Sequence, residues 1–203
     1  EDLMGVFATI ESDPMIPDWL VFYGGVTAMP GGSAAYTIDF APGQYAIFSV
    51  SENEVDGPDI AQGMMGMLEV TAAESTVAST PPAADVTVEL VDFSFVIADE
   101  LQSGPQVIEV TNTGAEPHEM AFLKLAADTT VQDAIEAMMV EEPTGPPPFE
   151  FAGLVPPMGP GMTAWYEFDL QPGEYGLICF IPSPASEGAP HFMLGMVRPL
   201  SVQ

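Results

Sequence analysis

Positive charge is almost missing from this sequence: two basic side chains, Lys124 and Arg198, stand against 30 aspartates and glutamates, for a formal net charge of −28 over 203 residues. Such a chain cannot neutralise a row of phosphates, which excludes nucleic-acid binding, P-loop chemistry and docking on anionic lipid. Its partners are expected to be cationic surfaces or metal ions. Histidine and cysteine are nearly absent too, with two and one respectively. The single cysteine, Cys179, has no partner for an internal disulfide. No apolar run reaches the roughly 18 residues of a membrane span, and no basic segment followed by an apolar one opens the chain. The sequence begins at Glu1 rather than Met. We therefore expect a processed leader or a further upstream portion, and an exported protein, periplasmic or extracellular and peripheral to any membrane complex. What is present is a hydrophobic fraction of 47%, only 16% charged residues, and 21 prolines. That balance argues for a folded, loop-rich β protein and against disorder and long helices.

The stretch 71–85 (TAAESTVASTPPAAD) has no apolar periodicity and reads as an exposed linker between two domains. Beyond it, 86–97 and 106–114 alternate apolar and polar positions and are rich in β-branched and aromatic residues, so both predict strands, with 121–125 as a third. The apolar spacing Val131, Ala134, Ile135, Met138, Met139 predicts a short helix over 130–139, capped by Asp128 or Thr129. The proline-rich 141–151 is expected to be an irregular loop. Segments 163–170 and 174–180, joined by QPG, read as a hairpin.

Part of this pattern occurs twice. FAPGQYAIFSV (40–50) aligns with LQPGEYGLICF (170–180), and GMMGMLEV (63–70) with FMLGMVRP (192–199). Residues 1–70 are therefore expected to be a second, degenerate copy of the fold, lacking counterparts of the strands in 86–125. Those strands would lie upstream or come from another chain.

Both histidines and the cysteine fall in the later copy. His118 ends the run N-T-G-A-E-P-H, and Cys179-x11-His191-x4-Met196 surrounds a loop that follows a strand. Two imidazoles, a thiolate and a weak axial thioether form the ligand combination of a blue-copper centre, which holds both oxidation states in similar geometry. The D-F-S-F of 92–95, the N-T-G-A-E-P-His118 segment, the P-G-E-Y-G-L-I-Cys179 run and the His191-x4-Met196 ending resemble the cupredoxins, the family of plastocyanin and azurin. The resemblance covers 86–203. It implies an all-β chain of two Greek-key cupredoxin-like sandwiches, the first incomplete and the second with a short inserted helix. It also implies one type 1 copper held by His118, Cys179, His191 and Met196. One departure is the eleven residues between cysteine and histidine, longer than in plastocyanin-like proteins. In the degenerate copy Ser49 is aligned with Cys179, Gln62 with His191 and Met67 with Met196, a set unable to hold type 1 copper.

Other chemistries fail on inventory. A multicopper oxidase needs more histidines than two. There is no H-E-x-x-H and no G-x-S-x-G, and the carboxylates single out no catalytic pair. The expectation is therefore a non-enzymatic electron carrier with His191 near the surface as the exit route. Its partner would be a redox protein with a cationic docking face. The alternative is a structural or accessory subunit bracing a larger membrane electron-transfer complex, photosynthetic or respiratory, with copper optional.

Overall fold

The computed structural model describes residues 17, 19–28, 31, 33–53, 57–72, 80–140 and 145–203. The chain divides into two compact units, one taking in Asp39–Thr80 and the other the described residues up to Ile38 together with Pro81–Gln203. The sequence led us to place 1–70 in one domain. The partition differs because β1 (Tyr36–Ile38) hydrogen-bonds as an edge strand to β11 (Thr163–Leu170) of the larger unit. Residues 73–79 of the expected linker lie outside the described residues, as do 1–16 of the first domain.

In the smaller unit, β2 (Gly43–Phe48) pairs antiparallel with β5 (Met65–Val70), and β3 (Glu52–Asn53) with β4 (Gly57–Pro58). A 3₁₀ turn, Asp59–Gln62, leads into β5.

The larger unit is a two-sheet sandwich, as the alternation of apolar residues predicts. One sheet has the order β1-β11-β8-β6-β7, built with β6 (Val86–Val91), β7 (Ser94–Ile97) and β8 (Gly104–Asn112). The other has the order β10-β9-β12-β13, from β9 (His118–Leu125), β10 (Phe149–Met158), β12 (Gly173–Ile178) and β13 (Val197–Val202). The parallel pairing of β6 with β8, among otherwise antiparallel neighbours, gives the crossed, Greek-key type of connection. Val88, Leu90, Ile108 and Val110 from one sheet meet Met120, Phe122, Val155 and Leu177 from the other in a single buried core.

Three expectations are corrected here. The run 86–97 is a hairpin broken at Asp92 and Phe93, where Phe93 takes a left-handed φ of 62°. Segments 163–170 and 174–180 do not pair with each other, because the QPG turn carries the chain from one sheet to the other. The tail of 141–151 is strand: Phe149 begins β10, an edge strand whose register slips between Val155 and Met158, around Pro156 and Pro157. An edge with a bulge is where a sheet tolerates proline.

The helix α1 (Val131–Met138) forms as expected but starts at a different cap. Thr130 and Asp133 make a reciprocal capping box, the Thr130 hydroxyl accepting from the Asp133 N–H at 3.2 Å and the Asp133 carboxylate accepting from the Thr130 N–H at 2.8 Å. Eight residues are too few for a helix to persist alone. Its apolar face holds it, with Val131, Ala134, Ile135 and Met138 packed on Leu123, Phe149 and Ile178. Strand β9 is therefore covered on both faces, which explains why its alternation is lost in the sequence.

The helix approaches β12 closely at Gly176, where an added Cβ would collide with Cγ2 of Val131. Gly176→Ala is expected to destabilise the protein by about 1–3 kcal/mol through overpacking. Adding Val131→Ala should recover most of the loss, as measured by urea denaturation. Failure of the second substitution to recover stability would mean that the helix is not the obstacle.

Candidate metal centre

His118 opens β9, the paired strand in the middle of its sheet, and its position is set by the loop before it. Asn112, fully buried at the end of β8, ties that loop down with every polar atom in use. Its side-chain amide donates to the Glu116 carbonyl at 2.9 Å and the Met158 carbonyl at 2.8 Å, while its Oδ1 accepts from the Gly114 N–H at 2.9 Å. Cys179 directly follows β12. From there the backbone loops out and returns, with the His191 N–H donating to the Ile181 carbonyl at 2.9 Å and the Phe192 N–H to the Cys179 carbonyl at 2.9 Å. The 3₁₀ turn His191–Leu194 ends at Gly195, whose φ of 113° lets the chain reverse, and the Met196 N–H then bonds the His191 carbonyl at 2.9 Å.

The result brings the expected residues together. His118, Cys179, His191 and Met196 are all fully buried. The ligand atoms of the two histidines and the cysteine lie within 4.8 Å of one another. Nδ1 of His118 is 2.9 Å from Nδ1 of His191, which is 3.4 Å from Sγ of Cys179. Met196 packs in the same buried cluster as Cys179, and its carbonyl accepts the Cys179 N–H at 3.3 Å.

The other edge of each imidazole meets a carboxylate. His118 Nε2 is 3.0 Å from Asp92 Oδ1, and His191 Nε2 is 3.0 Å from Glu116 Oε2. With both Nε2 atoms donating to carboxylates, both Nδ1 atoms are left as lone pairs. Lone pairs facing each other at this distance repel unless a cation lies among them. First-row metal ions bind nitrogen at about 2 Å and thiolate at about 2.3 Å, lengths that put such donors roughly 3–4 Å apart. The three donors are therefore spaced for one metal ion, and two imidazoles and a cysteine sulfur, with Met196 buried in the same cluster, fit type 1 copper.

Burial shapes the protonation of the centre. It pushes the Cys179 thiol up to about 12. It also holds His118 below its ordinary value, outweighing the hydrogen bond to Asp92. Burial would raise Asp92, but hydrogen bonds from His118 and from the N–H groups of Glu116 and Ala115 prevail and lower it. Glu119, buried beside the cysteine, is raised from 4.5 to about 7 by burial, against the hydrogen bond it accepts from the Phe180 N–H at 2.9 Å. Its own N–H points at Cys179 Sγ, 3.5 Å away.

Two features depart from expectation. His191 is not at the surface: its ring is fully buried, with Glu116 at its Nε2 and Phe93 edge-on at 5.2 Å between centroids. Asp92, Glu116 and Glu119 were also not singled out by the sequence, since one carboxylate among thirty carries no mark. The only local signal is the position of Glu116 and Glu119, two residues before and one after His118.

The smaller unit repeats three of the loop's backbone bonds. The Ser49 N–H donates to the Met64 carbonyl as Cys179 does to Met196, Asp59 to Ser51 as His191 does to Ile181, and Met64 to Asp59 as Met196 does to His191. Gly63, with φ of 91°, matches Gly195. Asp59 and Met64 thus stand where His191 and Met196 do, in place of the expected Gln62 and Met67. The intervening loop is two residues shorter, and Gly63-Met64, not Gly66-Met67, is the counterpart of Gly195-Met196. Ser49 Oγ meets Asp59 Oδ2 at 2.9 Å, a hydrogen bond where the larger unit sets thiol against imidazole.

No family model and no curated protein sequence matches this chain. Among solved structures it is similar to a dithionite-reduced auracyanin from Roseiflexus castenholzii, with 20% identity, 60% of this chain and 99% of that chain covered, and a TM-score of 0.38. The same holds for auracyanin A, a "blue" copper protein from Chloroflexus aurantiacus, with 20% identity, 58% and 98% covered, and a TM-score of 0.38. A blue copper oxidase from Nitrosomonas europaea matches at 11% identity, covering 74% of this chain and 52% of that one, with a TM-score of 0.30. In its two-sheet sandwich and its buried His-Cys-His cluster, this chain resembles the blue-copper cupredoxins. The functional reading rests on the geometry of the site itself.

Glu119 makes the metal-free protein sensitive to pH. Its carboxyl holds a proton in the folded state that it would release when unfolded, so its contribution is fully present below pH 4.5 and lost as pH rises through about 7, a change of about 3 kcal/mol. His118, lowered in the folded state, acts oppositely and costs stability as pH falls below its unfolded value. Because His118 opposes Glu119 below pH 6.5, the difference isolates Glu119: in urea denaturation of the metal-free proteins between pH 5 and 8, the stability of the wild type relative to Glu119→Gln should fall toward alkaline pH. Equal slopes for the two proteins would rule Glu119 out as the cause.

Proposed function

We propose that this protein is an exported single-electron carrier that holds one type 1 copper through His118, Cys179, His191 and Met196. The observation that carries the reading is the buried convergence of two imidazole Nδ1 atoms and one thiol sulfur, with 2.9 Å and 3.4 Å between neighbours. Copper bound there supplies a one-electron couple whose two states accept similar geometry. The chain's part is to hold the donors still. β9 and the loop after β12 fix His118 and Cys179 from adjacent strands, and the Gly195 reversal brings His191 and Met196 back to them. The buried core around these residues excludes water, and the Glu119 N–H offers the sulfur a hydrogen bond. Two histidines in the whole chain support a carrier rather than an oxidase, which needs a second copper centre. The net charge of −28 supports a partner with a cationic docking face, approached faster at low ionic strength. Export accompanies the family resemblance. In the smaller unit, Ser49, Asp59 and Met64 at the matching positions support a metal-free copy.

A second reading is favoured by the smaller unit's surface, where Ile47 (59%), Val50 (56%) and Met67 (70%) are exposed. Exposed apolar side chains of this kind suit a subunit that braces a larger membrane electron-transfer complex. Co-purification with such a complex would support it, and a free, fully active monomer in gentle detergent extracts would count against it.

Adding Cu(II) to the purified protein should produce an intense visible thiolate-to-copper absorption and a narrow copper hyperfine splitting in the EPR spectrum. Both should vanish in Cys179→Ser. A wild-type protein that stays colourless, or a band that survives the substitution, would overturn the copper reading.

A further inference from the structure

Both imidazoles of the centre are gripped from behind by carboxylates that are themselves fixed. Asp92 sits in the β6–β7 turn, where its Oδ1 accepts from the Ala115 N–H at 2.9 Å as well as facing His118 Nε2 at 3.0 Å. The space for that pair is provided by Gly114: a Cβ there would lie 2.6 Å from His118 Nε2 and would collide with Asp92 Oδ1. Glu116 lies in the loop between β8 and β9. One of its oxygens faces His191 Nε2 at 3.0 Å and the other accepts from the Ser183 hydroxyl at 3.0 Å. Ser183 is fully buried and belongs to the long interval between Cys179 and His191. The extra residues of that interval thus have a use: they deliver the hydroxyl that holds Glu116 against His191.

We propose that Asp92 and Glu116 are positioning residues which, with Ser183 anchoring Glu116, aim both Nδ1 atoms at the metal and make the centre favour Cu(II) over Cu(I). The inference rests on the copper reading. A carboxylate on the remote N–H of a ligating imidazole fixes its tautomer and ring orientation and makes the ligating nitrogen more basic. A more basic donor and a nearby negative charge both stabilise the more highly charged ion. The two carboxylates act on different histidines through separate hydrogen bonds, so their effects on the metal should accumulate.

Asp92→Asn, Glu116→Gln and the double variant, made in the full chain, test this. Each substitution keeps an acceptor oxygen at the imidazole and removes the charge. Each single variant should bind Cu(II) about 10–100-fold more weakly, lose less affinity for Cu(I), and so shift the midpoint potential upward, the double variant most. Ser183→Ala should shift it in the same direction by less than Glu116→Gln. Folded variants with unchanged potential and unchanged Cu(II) affinity would overturn the proposal while leaving the copper reading intact. A readout without copper is the ¹H–¹⁵N NMR spectrum of the Zn(II)-loaded protein. Two slowly exchanging, downfield Nε2–H signals, one moved upfield in Asp92→Asn and the other in Glu116→Gln, support the proposal, and the lack of such signals in the wild type overturns it. If Asp92→Asn fails to fold, Glu116→Gln decides for its own histidine by the same two readouts.

Discussion

Two imidazole nitrogens facing each other at 2.9 Å inside a dry core are the constraint around which the rest of the larger unit is arranged. Left as lone pairs they repel, and the thiol beside them sits where burial opposes ionisation. A metal cation among the donors resolves both conflicts at once. A core of Leu90, Ile108, Phe122 and Leu177 supplies the apolar burial that holds the sandwich together, at roughly 25 cal/mol per Å² of apolar surface removed from water. That stability is what allows a cluster of mutually unfavourable donors to persist at one end of the fold.

The way the donors are delivered follows from topology. His118 begins a strand whose neighbours on both sides are β10 and β12, and the register places Ile178 opposite Ala121, so Cys179 emerges next to the start of β9. The remaining candidate donors come from a loop that closes on itself through backbone bonds, and Asn112 locks the opposing loop with three hydrogen bonds from its side-chain amide. A buried amide so fully paired specifies one conformation, because any other leaves polar atoms unmatched.

Much of this was legible in the sequence. Period-two alternation in 86–91 and 106–112, helical spacing in 131–138, and the rarity of histidine and cysteine pointed to the sandwich, the inserted helix and the clustering of His118, Cys179 and His191. What was not legible has physical causes. Residues 163–170 and 173–178 flank a tight turn that suits a hairpin and a sheet-to-sheet crossing equally well, since nothing local records which partner each strand finds. The break at Asp92 is hidden because Phe93 adopts a left-handed φ that the sequence would assign to glycine or asparagine. The burial of His191 depends on Glu116 and Phe93, residues 75 and 98 positions away, which no local pattern connects to it.

The smaller unit shows how little the 179–196 loop owes to its candidate metal-binding side chains. Through their N–H groups Ser49, Asp59 and Met64 reproduce three backbone bonds made by Cys179, His191 and Met196, with a left-handed glycine at the same place and a hydroxyl–carboxylate bond substituting for the thiol–imidazole contact. The same correspondence extends to a tyrosine whose hydroxyl donates to a carbonyl four residues back, Tyr45 to Ala41 and Tyr175 to Gln171, both at 2.7 Å. A loop that closes the same way around different side chains is shaped by its backbone. The larger unit therefore offers its candidate donors from a scaffold that is already in place, so a metal ion entering it would organise little and two oxidation states would meet nearly the same surroundings. Small rearrangement on gaining or losing an electron is what rapid transfer requires, and under the proposed function it would follow from hydrogen bonds that the chain makes twice.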